Sequence, residues 1–91
     1  MYKIDLTTEA LEDLELLRKY DRNRILDAAE KSLKFQPMLQ TKNRKRLSYN
    51  RLAEWELRVG NFRVFYDVFE KTSVVKIIAV GYKKGYSLNY S

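Results

Sequence analysis

Ninety-one residues with 18 Lys and Arg against 12 Asp and Glu, a formal charge of +6 and 45% apolar side chains specify a single domain, residues 1–91, with one core, and exclude a disordered chain. Cysteine and histidine are both absent. Disulfides, thiolate metal sites and imidazole chemistry are therefore excluded, any catalysis must use Lys, Arg, Tyr, Ser, Thr or a carboxylate, and no metal or cofactor is expected.

The stretch Met1-Tyr2-Lys3-Ile4-Asp5 has no apolar signal core, and no apolar run approaches the roughly 20 residues that span a bilayer. A cytoplasmic protein is expected. Tyr2 to Leu6 alternates and meets Thr7-Thr8, which predicts a short strand running into a helix N-cap. Ala10, Leu11, Leu14, Leu17 and Tyr20 then recur at helical spacing, with Glu9, Glu12, Asp13 and Glu15 early and Arg18-Lys19 late, the order a helix dipole favours. Asp21 is placed to cap a second helix whose Leu26, Ala29 and Leu33 form a stripe with Ile25 and Ala28 beside it. Pro37 disfavours helical geometry at Gln36 and ends it. With almost no linker, the two helices are expected as an antiparallel pair that buries its leucines against the second half.

Between the halves, Lys42 to Arg46 holds four basic residues (Lys42, Arg44, Lys45, Arg46), with Arg51 close behind. This run is either a solvated loop or a contact for a polyanion or an acidic partner. Glu54 to Val59 alternates strictly, Gly60-Asn61 is a two-residue hairpin signal, and Phe62 to Phe69 reads as its return strand. A turn around Glu70 to Ser73 leads to the apolar strand Val74 to Val80, ended by Gly81. The order of elements predicts an α+β domain: two N-terminal helices on one face of a curved, mainly antiparallel sheet, β-α-α-β-β-β.

A tight Gly60-Asn61 turn also sets the register. Val59 opposes Phe62, Arg58 opposes Arg63, Leu57 opposes Val64, Glu56 opposes Phe65 and Trp55 opposes Tyr66. Trp55, Leu57, Val59, Val64 and Tyr66 then line the core, while Glu54, Glu56, Arg58, Arg63, Phe65 and Asp67 line an open face. Two arginines directly across a strand pair repel unless carboxylates or a phosphate sit beside them, so this face is either salt-bridged through Glu56 and Asp67 or ready for a phosphate. The tail, Gly81-Tyr82-Lys83-Lys84-Gly85-Tyr86 and then Leu88, Asn89 and Tyr90, reads as a frayed end or as a nucleic-acid contact of ammonium groups and stacking phenols.

Leu57 to Val68, the apolar strand, Ala79-Val80-Gly81-Tyr82-Lys83-Lys84, and Lys45-Arg46-Leu47 ahead of Trp55 together resemble the signature of the RelE/ParE superfamily of toxins. The two helices match that family in place and length, so the likeness spans nearly the whole chain. In the RelE branch the resemblance implies a ribosome-dependent mRNA endonuclease, in which a ribose 2'-hydroxyl attacks the adjacent phosphate without a metal. It also implies an antitoxin partner that wraps the toxin. Carried over by position, Arg63 matches the strand arginine that contacts the scissile phosphate, and Lys83 or Lys84 would stabilise developing charge. The terminal Tyr or His falls between Tyr86 and Tyr90, because Asn89 stands nearest that position. Two lysines of the best-known RelE branch are replaced by Glu54 and Glu56, and Glu56 is either a general base or a salt-bridge partner. Lys42, Arg44, Lys45, Arg46, Arg51 and Arg58 would contact RNA. The alternatives are the ParE branch, which inhibits DNA gyrase, and a member that binds nucleic acid or antitoxin without chemistry.

Overall fold

The computed structural model describes residues 1–48, 52–84 and 87–89, with 83–84 and 87–89 described through their backbone. In chain order the elements are β1 (Lys3–Leu6), α1 (Thr8–Glu15), α2 (Lys19–Leu33), β2 (Arg44–Arg46), β3 (Trp55–Val59), β4 (Phe62–Phe69), β5 (Val74–Lys84) and β6 (Ser87–Asn89). The strands form a mixed sheet in the order β1-β5-β4-β3-β2, with β1 parallel to β5 and β6 pairing antiparallel with β5. Among the described residues no helix is long and apolar enough to cross a membrane.

The expected α+β arrangement is what forms, and the hairpin register is the one the Gly60-Asn61 turn dictates: Val59↔Phe62, Arg58↔Arg63, Leu57↔Val64, Glu56↔Phe65 and Trp55↔Tyr66. Gly60 takes the left-handed conformation that such a turn requires, φ +60°. The core is the layer between helices and sheet, where Ala10, Leu14, Ile25, Ala29 and Leu33 meet Trp55, Leu57, Val59, Phe62, Val64, Tyr66, Val75, Ile77 and Val80. Trp55 and Tyr66 stack there as a cross-strand pair, with ring centroids 6.1 Å apart.

The helix boundaries differ from the sequence expectation. Thr7 is the N-cap of α1, its hydroxyl oxygen accepting from Ala10 N, and α1 ends at Glu15 with Leu16 as C-cap. The second helix then begins at Lys19 with Arg18 as an N-cap that makes no side-chain capping bond. Asp21 is therefore inside the first turn of α2 rather than its cap. Arg18-Lys19 open α2 instead of closing α1, and α1 has no basic residue in its last turn. Leu11 and Tyr20 consequently face solvent. The spacing misled because two short helices with little linker continue one apolar rhythm across their junction.

The end of α2 has no glycine to close it, and carbonyls at and just beyond it accept from elsewhere in the fold. Arg44 Nη1 donates to Ser32 O at 2.7 Å and to Gln36 O at 2.6 Å. Tyr2 N donates to Lys34 O at 2.7 Å, and the buried Tyr66 hydroxyl donates to Pro37 O at 2.6 Å. Burial pushes the Tyr66 phenol far above its ordinary range, with Arg44 pulling weakly the other way.

Elsewhere α1 is stitched to β5. Partners on β4 step from Phe65↔Ala79 to Tyr66↔Ile77, leaving Ile78 as an extra residue in β5. Around this bulge Thr7 N donates to Ile77 O, the Thr7 hydroxyl donates to Ile78 O at 2.8 Å, and Val80 N donates to Asp13 Oδ2 at 3.0 Å. Asp13 is the buried carboxylate of α1, holding a backbone amide on a β5 edge that β1 leaves unpaired beyond Ile77. The bulge also reverses the alternation of β5. Val75 and Ile77, then Val80, belong to the core, and Ala79 and Gly81 are turned to the other face.

Two further expectations are corrected. The basic run is not a loop throughout, because Arg44–Arg46 pair as β2 with Leu57, Glu56 and Trp55. Phe65 is not exposed: Leu47, Leu52, Ala53, Ala79 and Ile78 pack with it in a second apolar cluster, leaving it 1% accessible. Leu47, Leu52 and Ala53 thus cover the middle of the helix-free face, and nearer the β3–β4 turn Arg58 is 44% exposed and Arg63 11%.

Candidate phosphate-binding face

The end of that face nearest the β3–β4 turn is built by strand alternation. Phe62 and Val64 face the core, which turns Arg63 between them to the helix-free side, beside Arg58 on β3 and Gly81 on β5. Glu56 lies one cross-strand step away. Its Oε2 stands 3.5 Å from Arg58 Nε and 4.0 Å from Arg63 Nε, so one carboxylate sits between two guanidiniums. The side chains of Glu56 and Arg63 are 13% and 11% exposed, against 44% for Arg58. This shared carboxylate offsets the cross-strand repulsion of the two arginines. Asp67 does not join it, because its Oδ1 accepts from Glu54 N at 2.8 Å.

Arg63 is aimed by its own turn. Its Nη1 donates to Gly60 O and to Phe62 O, both at 3.0 Å. The Nε and Nη2 edge, the side of a guanidinium that grips two oxygens of one anion, is met among the described residues only by the loose Glu56 contact at 4.0 Å. A phosphate oxygen can take the place of that carboxylate. Gly81, opposite Arg63, is buried and adds no side chain beside the guanidinium.

The remaining sequence candidates separate into groups. Lys45 pairs with Glu56 across β2 and β3 and is exposed, on the same side as Arg63. Lys42 is exposed just before β2. Arg46 lies over the Trp55 ring, 5.8 Å from its centroid, and meets Glu54 at 3.5 Å. Arg44 stands opposite the buried Leu57, and its guanidinium is spent on the end of α2. It is therefore turned away from the Arg63 side, which alternation along a basic strand requires of one residue in two. Lys83 and Lys84 continue β5 beyond Gly81, paired with Leu88 and Ser87, and their side chains lie outside the described residues. Arg51, Tyr86 and Tyr90 also lie outside the described residues.

A model of the ParE toxin of type II toxin-antitoxin systems, parDE, matches residues 4–85. The chain belongs to this family. Within the wider RelE/ParE superfamily the toxin's fold is similar to that of solved structures at low identity. One is the toxin-antitoxin complex RelBE2 from Mycobacterium tuberculosis, 23% identical with a TM-score of 0.77 over 90% of this chain and 98% of that one. Another is the archaeal RelE-RelB complex from Pyrococcus horikoshii OT3, 24% identical with a TM-score of 0.73 over 94% and 98%. The isolated E. coli RelE toxin is 19% identical, with a TM-score of 0.66 over 93% and 87%. No curated protein matches the chain in sequence.

Arg24 is a residue that sequence reasoning passed over. It projects from α2 onto the β3–β4 turn, where a Cβ on Gly60 would lie 1.9 Å from its Nη2. Its i,i+3 spacing from Asp21 was legible, but its meeting with a turn 36 positions later was not.

Proposed function

We propose that this type II toxin acts as a ribosome-dependent mRNA endonuclease, neutralised by a cognate antitoxin, with Arg63 as the residue that holds the scissile phosphate. The observation that carries the reading is Arg63 itself. A guanidinium fixed by two carbonyls of its own turn presents its bidentate edge toward a loosely held carboxylate, on the face free of helices and beside a glycine. That is a preorganised receptor for a phosphorane, whose charge an arginine stabilises without itself losing a proton.

The step needs attack by the ribose 2'-oxygen on phosphorus, loss of the 2' proton and protonation of the leaving 5' oxygen. It yields a 2',3'-cyclic phosphate and a free 5' hydroxyl. Arg63 binds the non-bridging oxygens. Glu56 acts chiefly as the counter-ion that orients Arg58 and Arg63 until a phosphate displaces it. Lys83 or Lys84 is assigned the stabilisation of developing charge, and Tyr86 or Tyr90 base stacking or proton transfer. Lys42, Lys45, Arg51 and Arg58 carry the flanking backbone.

Purified toxin and Arg63→Gln, incubated with programmed ribosomes and read by primer extension, test this. Discrete cuts inside codons are expected from the wild type. The variant is expected to give none while still folding and binding antitoxin, and equal cutting by both would refute the assignment. A second reading, inhibition of DNA gyrase, is favoured by the ParE description of the matching family and by Glu54 and Glu56 on β3. It predicts intact mRNA and gyrase-dependent DNA breaks in the same cells.

A further inference from the structure

The β3–β4 turn is held between two arginines, one from each layer of the domain. On the helix side the Arg24 guanidinium fills the space of the missing Gly60 Cβ, and on the sheet side Arg63 Nη1 takes Gly60 O at 3.0 Å. With Arg24 over the Cβ position of Gly60 and Arg63 Nη1 3.0 Å from its carbonyl oxygen, the short covalent span of the glycine puts the two guanidiniums within roughly 8 Å.

Each guanidinium also belongs to a cluster with the same composition. Asp21 is shared by Arg18 at 3.4 Å and Arg24 at 3.8 Å, as Glu56 is shared by Arg58 and Arg63. Each cluster has two cations for one carboxylate, so positive charge is left over on both sides of the turn. Arg24 is 42% exposed, so it stays open to a solvent-borne ligand.

We propose that Arg24 is a phosphate contact for single-stranded RNA whose backbone passes over the Gly60-Asn61 turn from the Arg63 side to the helix side. This rests on the reading of the toxin as an RNA-acting protein and adds a strand path to it. A cation near the phosphate next to one held at Arg63 adds affinity by releasing counterions, and the fold places Arg24 across the turn. The left-handed φ of +60° favours glycine at the crossing point, and a Cβ there would shift the tip of Arg24.

The test is the salt dependence of binding to a fluorescently labelled, unstructured RNA oligonucleotide, which requires neither ribosome nor cleavage. Arg24→Gln is expected to lower the slope of log K against log salt by about 0.7, the value of one lost phosphate on a single strand. Arg24→Lys is expected to retain the slope. A purely structural role for Arg24 would weaken binding through misfolding yet leave the slope in place, so an unchanged slope for Arg24→Gln overturns the proposal. Asp21→Asn, which releases Arg18 and Arg24 from their shared carboxylate, is expected to bind several-fold more tightly, and unchanged or weaker binding overturns it as well. A matched DNA oligonucleotide that binds more tightly than RNA, with the same slope loss, overturns RNA as the ligand. If the wild type cuts no mRNA but Arg24→Gln still loses slope on RNA, the nuclease reading fails and the strand path stands.

Discussion

Arg44→Met separates a structural cation from the ligand-facing ones in a run where all look alike. The substitution keeps most of the aliphatic stem and removes the guanidinium that bonds Ser32 O at 2.7 Å and Gln36 O at 2.6 Å. A hydrogen bond to a charged group contributes about 1.5–3 kcal/mol net, and water can reach these half-exposed carbonyls in the variant, so the pair together is worth about 2–3 kcal/mol. With a urea m-value of about 1–3 kcal/mol/M for a small domain, the midpoint should fall by roughly 0.7–3 M. The thermal midpoint should fall by about 8–20 °C. Trp55, the sole tryptophan, is buried on the strand next to β2 and reports the transition by fluorescence. Hydrogen exchange at the end of α2 should quicken most, because that is where acceptors are lost. RNA affinity of the folded variant should keep its wild-type salt slope. An unchanged midpoint with a diminished slope would show that Arg44 faces a ligand, and would refute the helix-end role.

Other outcomes follow from the same geometry. Phe65→Ala, which would be innocuous on an open face, should cost about 3–5 kcal/mol because the side chain is enclosed by Leu47, Leu52, Ala53, Ile78 and Ala79; a loss below about 1 kcal/mol in urea unfolding would contradict that enclosure. Asp13→Ala leaves the Val80 amide without its acceptor and should destabilise by about 2–3 kcal/mol, whereas Asp13→Asn, which can still accept, should lose clearly less. Equal losses for the two would refute the role of Asp13 as a cap on the bulge. Tyr66→Phe should cost about 1 kcal/mol near neutrality, from the bond to Pro37 O. The phenol's folded pKa is raised, so its contribution is fully present below the unfolded value of 10.0 and is lost as pH rises beyond it. Above that pH the wild type should lose about 1.4 kcal/mol per pH unit relative to Tyr66→Phe, so the two stabilities should converge near pH 11; parallel curves would exclude the effect.

Much of the architecture was legible because it is local. A glycine-asparagine pair between alternating strands sets turn type, register and face together, and so Arg63 could be assigned to the helix-free side from the chain alone. Pro37 and the Leu33 stripe likewise delimit α2. The α1–α2 junction was misplaced because periodicity carries no mark where one short helix hands over to the next. The run Val74 to Val80 is apolar at every position but Lys76, so alternation could not reveal which residues faced the core.

Composition and spacing by themselves determined the fold class, the hairpin and the exclusion of thiol and imidazole chemistry, since these depend on residue type and near neighbours. Tertiary structure decided what depends on distant partners. The bulge at Ile78 turns Gly81 toward Arg63, and Leu47, Leu52 and Ala53 help to bury Phe65. Arg44 closes α2, and Arg24 reaches the turn at Gly60. In each case the deciding force is the need of a buried backbone group, apolar ring or charge for a partner supplied by a remote part of the chain, and only packing shows which part that is.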